Sequence, residues 1–262
     1  MTTKSELGVP GEALGKVSLY RAQRYGMRLG RRVLDRCGAA VAEHSDCGDR
    51  PVFDPTSFAW CRRLEEGFPA MREELMRVLA QREQIPNFQD ISPDQAHLTR
   101  GDAWKTFMLF GYGYKAENNC AACPETTRLV TSVPGMKTAF FSILGPRSHV
   151  PPHRGPYKGL LRYHLGLKIP APDRCGIRVA DQRLTWREGE SLLFDDTYEH
   201  EAWNHSDQDR VVLFLDVLRP LPSGWDLANR LFVGAVALSP FVQDGVRRFR
   251  TRDGHGTFSQ RM

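Results

Sequence analysis

Residues 138–218 contain a series of short strand-like runs: TAFFSIL (138–144), LLRYHLGLKI (160–169), GIRVA (176–180), RLTW (183–186), SLLF (191–194), HEAW (200–203) and RVVLFLDVL (210–218). The runs are rich in β-branched and aromatic residues, and Gly, Pro and Asp separate them at close spacing. This pattern predicts an antiparallel sandwich or barrel rather than a parallel sheet with crossover helices.

Helical patterns flank these strands on both sides. Before them, apolar residues recur at helical spacing, and Glu73 and Glu74 are predicted to face away from the core: Phe68, Met71, Leu75, Val78 and Leu79. After residue 222 the helical spacing returns, with an Arg-rich tail behind it: Leu227, Leu231, Phe232 and Val236. The fold class is therefore predicted to be mainly β with flanking helices.

The N-terminal region has a basic amphipathic pattern. Residues 14–44 predict a helix with a cluster of arginines on one face: Arg21, Arg24, Arg28, Arg31 and Arg32. A solvated docking helix and a helix that contacts anionic lipid both fit this pattern. Residues 45–55 are rich in turn formers and predict a linker. We therefore expect an N-terminal region at 1–46, a β domain with its preceding helices at 47–220, and a C-terminal helix with a basic tail at 221–262.

The net charge of the chain is concentrated at its two ends. The 262 residues are 41% hydrophobic, which is enough for one ordinary core, and carry a formal net charge of +5. Residues 16–36 hold seven basic residues and one acid, and residues 247–262 hold five arginines and one aspartate. The remainder is net acidic, so the pattern predicts no nucleic-acid partner.

Composition also indicates the cellular compartment. No stretch reaches the roughly 18 uninterrupted apolar residues that a membrane-spanning helix needs, and the opening residues MTTKSELGVP resemble no secretion signal. Six cysteines are thin for a disulfide scaffold, and the pair Cys120 and Cys123 has no second CxxC to complete a zinc site. We expect a cytoplasmic protein, with peripheral membrane contact as the alternative.

Two histidines and an arginine lie beside predicted strands. His153 follows the first run, and His200 begins HEAW. Strands that are distant in sequence meet in a small barrel, so the two imidazoles can share one metal ion of the Fe, Zn, Cu or Ni type. Arg210 opens the last apolar run, and its planar fork matches a carboxylate. The three suggest an iron site with a dicarboxylate cosubstrate, although structural histidines and an Arg210 paired with Asp207 or Asp209 fit the same spacing.

Four motifs follow one another in the order HVPPHRGP (149–156), LRYHLGLKIP (161–170), WREGESLLFDDTYEHEAWN (186–204) and RVVLFLDVLRP (210–220). This set resembles the aspartyl/asparaginyl β-hydroxylase family of dioxygenases, from about Ser142 to Pro220. The resemblance implies a double-stranded β-helix, also called a jelly roll or cupin-like barrel. It also implies Fe(II) as the metal, 2-oxoglutarate as the cosubstrate, consumption of O2, and ascorbate as a supporting reductant.

The resemblance assigns a role to each matching residue. It makes His153 and His200 the iron ligands and the catalytic centre. Arg210 falls where the family binds the distal carboxylate of 2-oxoglutarate, and Ser142 falls where a hydroxyl helps to hold that carboxylate.

Further residues near the motifs have candidate roles. Arg162 and His164 match residues that line the cosubstrate pocket, and they share one face because side chains alternate along a strand. A charged, solvent-facing strand edge would show the same alternation. Four acidic residues around His200 are candidates to orient its ring, although turn chemistry and solvent exposure explain such residues equally well: Asp195, Asp196, Glu199 and Glu201.

Two positions depart from the pattern of the wider enzyme class. The third iron ligand of that class is a carboxylate two residues after the first histidine, where this chain has Gly155. Glycine offers no donor atom, so iron would have two protein ligands. The animal aspartyl/asparaginyl hydroxylases also have Gly there, whereas relatives that hydroxylate lipid A keep an Asp, which favours an amino-acid or peptide substrate. Leu160 is evidence against an acidic amino-acid substrate, because the animal enzymes have an arginine at its position.

The leading hypothesis is a dioxygenase that hydroxylates the β-carbon of an aspartyl or asparaginyl residue, or a related amino acid or peptide. One alternative is a lipid acyl-chain hydroxylase that uses its basic N-terminal helix and apolar C-terminal helix at the membrane surface. The other is a barrel that binds metal or ligand without turnover. The expected partner is a small-molecule, peptide or protein substrate, and the sequence carries no mark of oligomeric state.

Overall fold

The computed structural model describes residue 34 and residues 36–91, 98–99 and 101–253. Residues 36–43 form a helix, α1, which is the described part of the basic helix predicted at 14–44. The five arginines of its predicted basic face and the tail after residue 253 lie outside the described residues. The membrane contact assigned to that face and the division of the chain into three parts therefore stay predictions.

The strands form two antiparallel sheets. The bounds are β1 Val52–Phe53, β2 Trp104–Gly111, β3 Tyr114–Lys115, β4 Met136–Leu144, β5 Ser148–His153, β6 Leu160–Lys168, β7 Cys175–Val179, β8 Gln182–Thr185, β9 Ser191–Phe194, β10 His200–Asn204 and β11 Arg210–Leu218. The larger sheet has the order β1-β9-β6-β11-β4-β2-β3, and the smaller one has the order β5-β10-β7-β8.

Strands β4 to β11 form the double-stranded β-helix. The chain passes from one sheet to the other between β4 and β5, β5 and β6, and β6 and β7, and again between β8 and β11 at every step. The result is two four-stranded sets, β9-β6-β11-β4 and β5-β10-β7-β8. The predicted fold class, mainly β with a double-stranded β-helix core and flanking helices, is confirmed.

Helices flank the two sheets, and several of them pack on the outer face of the larger sheet. Their bounds are α2 Ala59–Glu66, α3 Phe68–Leu79, α4 Phe88–Ile91, α5 Glu117–Ala122, α6 Pro124–Thr131, α7 Ser223–Ala237 and α8 Pro240–Asp253. Single 3-10 turns occur at Pro55–Ser57, Arg82–Gln84 and Gly101–Ala103. Within the described residues, none of these helices has the length and apolar character needed to cross a bilayer.

Strand β11 divides the core from the site. Its odd-numbered residues pack with the helices in the main apolar cluster: Val211, Leu213, Leu215 and Val217. Because side chains alternate, its even-numbered residues face the smaller sheet: Arg210, Val212, Phe214 and Asp216. The apolar cluster thus fixes β11, and β11 then carries charged side chains into the barrel.

Four strands escaped the sequence reading: β1, β2, β3 and β5. Strand β5 contains Pro151 and Pro152, which are tolerated because β5 lies at the edge of its sheet. Strand β2 pairs with β4 and extends the larger sheet. In the predicted linker at 45–55, Val52 and Phe53 form β1 and pair with β9.

The prediction for Glu74 is wrong. Met71, Leu75 and Val78 of α3 are buried as expected, but Glu74 is buried with them. Its carboxylate accepts hydrogen bonds from the backbone N–H groups of Glu125 and Thr126 (both 2.8 Å). These groups open α6, and a helix leaves its first N–H groups without internal partners. Glu74 therefore caps a neighbouring helix, which α3 periodicity alone does not reveal.

Candidate active site

His153 and His200 meet at one end of the barrel. His153 ends β5 and His200 begins β10, and the two residues are cross-strand partners. Their ring centres lie 4.1 Å apart. Burial, with the nearby Arg162 and His153, lowers the pKa of His200 to about 3, so this imidazole is neutral at physiological pH. Neutral imidazole is the form that binds a metal ion.

Backbone carbonyls orient both imidazoles. Nδ1 of His153 donates to the carbonyl of Pro151 (2.8 Å), and Nδ1 of His200 donates to the carbonyl of Tyr198 (3.0 Å). In the neutral form of either ring, this hydrogen bond leaves Nε2 unprotonated. The prediction that flanking carboxylates orient His200 is wrong, because each of them bonds an arginine: Asp195 with Arg219, Asp196 with Arg162, and Glu199 and Glu201 with Arg178.

Arg210 is a buried cation without an anionic partner among the described residues. It is 3% exposed, its Nε has no hydrogen bond, and none of its nitrogens forms an ion pair with a described carboxylate. Its guanidinium lies over the Trp186 ring, 4.4 Å from the ring centre. Burial lowers the pKa of Arg210 to about 10, which leaves it charged at neutral pH. The pairing with Asp207 or Asp209 that the sequence left open is absent, because these residues bond Arg147 and Arg82.

His164 lies between Arg210 and the histidine pair. Neither of its ring nitrogens has a hydrogen-bond partner, and the indole N–H of Trp186 has none either. The His164 ring lies 5.8 Å from Trp186 and 5.1 Å from Phe194, which in turn lies 5.7 Å from His200. Burial, with the charges of Arg210 and Arg162, holds the pKa of His164 well below its usual range. Polar atoms without partners on Arg210, Trp186 and His164 thus lie close together, and the Phe194 ring contacts both His164 and His200.

Ser142 lies on β4, next to the strand of Arg210. It is buried, and its cross-strand partner on β11 is Val212, two residues from Arg210. The indole N–H of Trp104 donates to its Oγ (3.0 Å). The Ser142 hydroxyl therefore keeps its own proton available for donation.

Arg162 is held between two aspartates inside the barrel. Its Nη2 lies 2.8 Å from Oδ2 of Asp196, and its Nε lies 3.2 Å from Oδ1 of Asp216. The guanidinium also lies over the Phe214 ring, 4.5 Å from its centre. Burial raises the pKa of Asp196 to about 6, although the Arg162 charge opposes this shift. Arg162 therefore does not lie on a solvent-facing strand edge, which was the alternative that the alternation of side chains left open.

Gly155 is explained by Asp196. A Cβ atom placed on Gly155 would overlap the Asp196 carboxylate, and the Gly155 N–H donates to the Asp196 carbonyl (2.7 Å). The carboxylate of Asp196 thus occupies the space of a side chain at position 155. No group of three or more His, Cys, Asp or Glu side chains in the described part of the chain is arranged to hold a metal ion.

An apolar cavity of about 280 Å³ leads to this site. One end is formed by His153, Arg162, Asp196 and Asp216. The remaining wall is mainly aliphatic and aromatic and includes residues of α4, β2, β4, α7 and α8: Ile91, Met108, Phe140, Val236, Val242 and Val246. The volume is near the lower end of the range for small-molecule sites. The shape suits a ligand with an apolar body that reaches the histidines.

Sequence reasoning missed Asp216, Trp186 and the cavity wall. Asp216 had a readable signal, because it interrupts an apolar strand and shares the face of Arg210. Trp186 ends the run RLTW, but nothing in that run shows that it meets Arg210. The contribution of α8 to the cavity depends on how the last two helices pack, which no motif specifies.

Comparisons with known proteins agree with the family suggested by the motifs. Residues 65–220 match the family model described as aspartyl/asparaginyl beta-hydroxylase. The ornithine lipid ester-linked acyl 2-hydroxylase of Rhizobium tropici is 46% identical over 205 residues, which cover 78% of this chain and 73% of that protein. The human aspartyl/asparaginyl beta-hydroxylase is 34% identical over 164 residues, which cover 61% of this chain and 21% of the human protein. The chain thus spans about a fifth of the human protein.

Among solved structures, the cupin_2 domain of an XRE family transcriptional regulator from Enterobacter cloacae is similar, with a TM-score of 0.31 and 14% identity. The match covers 44% of this chain and 96% of that domain. The double-stranded β-helix is assigned here from the strand order and not from this similarity.

Proposed function

Since the chain belongs to the aspartyl/asparaginyl β-hydroxylase family, we propose that it is an Fe(II)- and 2-oxoglutarate-dependent dioxygenase that hydroxylates an acyl chain of a lipid. The observation that carries this choice of substrate is the apolar cavity that ends at His153. Most of its wall is aliphatic or aromatic, so an alkyl chain would make close apolar contacts along it. A relative at 46% identity is named as an acyl-chain hydroxylase, which adds support.

The charged end of the cavity fits an aspartyl substrate less well. Arg162 is already paired with Asp196 and Asp216, so this buried trio carries a net negative charge when both carboxylates are ionised. A further carboxylate would be repelled there, and Leu160 supplies no compensating cation. The aspartyl or asparaginyl substrate favoured by the sequence therefore has less support than the lipid alternative.

The residues present fit the proposed metal and cosubstrate. His153 and His200 would hold Fe(II) through Nε2, since Nδ1 of each ring is engaged by a carbonyl. Arg210 lacks an anion and is buried, and 2-oxoglutarate would supply a carboxylate for its planar fork. His164 and Ser142 would donate to the same molecule from neighbouring strands.

The chemistry would be divided between cofactor and protein. Iron and 2-oxoglutarate, when bound together, supply the oxidation that activates O2 for attack on a C–H bond. The chain itself holds 2-oxoglutarate at Arg210, keeps His200 neutral by burial, and excludes water with the Phe194 and Phe214 rings. The apolar wall would place one carbon of the alkyl chain at the His153 end.

We expect the purified full chain, given Fe(II), 2-oxoglutarate, O2 and ascorbate, to add one oxygen to the acyl chain of an ornithine lipid and none to an aspartyl peptide. Mass spectrometry of both products and measurement of succinate check this result. His200→Ala should abolish the product, whereas His149→Ala should retain it, because His149 is half exposed and bonds Glu201 away from the site. Oxygen gain on the peptide alone would contradict the lipid assignment.

Narrowing the cavity should reduce lipid hydroxylation specifically. Val246→Trp adds a large ring to the part of the cavity wall that α8 forms. We expect kcat/KM for a long-chain lipid to fall at least about tenfold, the equivalent of ~1.4 kcal/mol in the transition state. Val242→Ala, which widens the same wall, is the matched control. Succinate formed without lipid should be unchanged in both variants, and an equal loss of both activities would contradict the role of the wall.

A cytoplasmic location and membrane contact through the N-terminal arginines stay predictions. The arginines lie outside the described residues, and the structure describes one chain without a partner.

A further inference from the structure

Helix α7 exposes an unusual amount of apolar surface. Of the large hydrophobic side chains that are exposed in the described part of the chain, all but Met76 lie between residues 225 and 238. The most exposed are Leu227, Leu231 and Leu238, at 60%, 66% and 78%. A single exposed leucine needs no explanation, but a continuous patch on one element indicates an interaction site.

The exposed residues lie on one side of the helix. At about 100° per residue, Leu227, Leu231 and Leu238 lie within about 40° of one another around the axis. Gly224 and Gly234 lie toward the same side, where a Cβ would meet nothing within 4 Å. Asp226 and Arg230 lie off this side and pair with each other (2.7 Å). The outward face, defined by Gly224, Leu227, Leu231, Gly234 and Leu238, therefore carries no charge.

The opposite side of α7 anchors it firmly. Asn229 and Val233 are buried. Nδ2 of Asn229 donates to the carbonyl of Gly159 (2.9 Å), and the Tyr157 hydroxyl donates to Oδ1 of Asn229 (2.9 Å). These contacts fix the rotation of the helix, so its outward face is set by the fold.

The same region connects to the cavity and carries positive charge. Val236 of α7 is 36% exposed and lines the cavity, so the helix that carries the outward face also forms part of the proposed acyl-chain site. Helix α8 lines the cavity with Val242 and Val246, and its arginines Arg247, Arg248 and Arg250 are exposed. Asp244 pairs with Arg247, which leaves α8 with excess positive charge.

We propose that the outward face of α7, together with the arginines of α8, docks on an anionic lipid bilayer. An apolar helix face beside basic residues is the arrangement that inserts shallowly at the bilayer interface. The passage of an acyl chain past Val236 rests on the proposed function, whereas the docking itself rests only on this surface. A second copy of the chain fits less well, because a face about 22 Å long and 10 Å wide is far below the ~800 Å² per partner of a stable dimer.

The test is co-sedimentation of the full chain with vesicles, without iron or 2-oxoglutarate. Vesicles of phosphatidylcholine alone are compared with vesicles that also contain phosphatidylglycerol. We expect binding to the anionic vesicles, and a partition coefficient about a hundredfold lower for the variant Leu227→Ser, Leu231→Ser, Leu238→Ser. Met76→Ser, an exposed hydrophobic residue on α3, is the control and should bind normally.

A variant that removes one positive charge tests the contribution of the α8 arginines to docking. Arg248→Gln should weaken binding to anionic vesicles several-fold, and added salt should remove this difference, because surface charges are screened. Equal binding by the native chain and the leucine variant would overturn the proposal. So would a native dimer that the leucine variant converts to a monomer, because a second copy would then cover the face.

The vesicle-binding test and the test of the proposed function can fail independently of each other. A chain that hydroxylates detergent-dispersed lipid but ignores vesicles overturns the docking surface alone. A chain that binds vesicles through these leucines but oxidises no lipid overturns the proposed function alone.

Discussion

Arg210→Met should make the protein more stable in the absence of ligand and unable to bind 2-oxoglutarate. The guanidinium is buried, charged and without an anionic partner among the described residues. A buried unpaired charge costs several kcal/mol, whereas Met fills similar space at no electrostatic cost. We expect the free energy of unfolding to rise by about 1–3 kcal/mol, which corresponds to about 2–4 °C in Tm for each kcal/mol.

Although Arg210→Met should stabilise the ligand-free protein, it should weaken the binding of 2-oxoglutarate. Loss of a charge-assisted, bidentate partner costs about 2–5 kcal/mol, so affinity for 2-oxoglutarate should fall by about 30-fold to several thousand-fold. Calorimetric titration with Mn(II) in place of Fe(II) measures this without turnover. Thermal unfolding with and without 2-oxoglutarate provides a second reading, because a ligand that binds only the native state raises Tm.

Arg183→Met is the matched control for Arg210→Met. Arg183 also lies over a tryptophan, Trp203, at 5.7 Å, but it is exposed on β8. It should change neither the Tm nor the affinity. A ligand-free Arg210→Met protein that is less stable than the native one would show that the guanidinium supports the fold, and would contradict its assignment to an anionic ligand.

The sequence predicted what depends on local pattern and missed what depends on contacts between distant segments. The strand around His164 alternates between polar and apolar residues, because one face packs on helices and the other faces the barrel. The proline-containing strand that carries His153 was missed because prolines are rare in strands except at a sheet edge, and the sequence does not show which strand is at the edge. Glu74 was placed wrongly for a similar reason, since the helix it caps begins about fifty residues later.

The candidate site divides in the same way. The motifs singled out His153, His200 and Arg210, whose roles stay predictions, and the structure brings the two histidines together at one end of the barrel and Arg210 beside Trp186. The motifs gave no reason for Gly155, because the explanation is a carboxylate some forty residues away. A rule based on spacing alone compares Gly155, two residues after the first histidine, with the expected carboxylate and shows only that a ligand is missing. It does not reveal that another side chain fills the space.

Restoring a carboxylate at position 155 should therefore damage the site. In Gly155→Asp the new Cβ overlaps the Asp196 carboxylate, so Asp196 must leave Arg162 or the backbone must shift. Overpacking of this kind costs about 1–3 kcal/mol, and two adjacent carboxylates add repulsion. We expect lower stability in denaturant unfolding and at least about a hundredfold loss of lipid hydroxylation. Gly155→Ala should show most of the stability loss, because the overlap begins at Cβ.

The double variant Gly155→Asp, Asp196→Gly separates crowding from chemistry. Removing the Asp196 side chain frees the space that the new carboxylate needs. We therefore expect the double variant to recover more than half of the stability lost in Gly155→Asp. A double-mutant cycle would show this recovery as a favourable coupling energy. Gly224→Asp, at a helix start with nothing within 4 Å of its Cβ, should leave the free energy of unfolding unchanged and serves as the control for the stability measurement. A single Gly155→Asp variant that is as stable as the native protein and more active would contradict the packing account. It would mean that the site has room for a third carboxylate ligand beside Asp196.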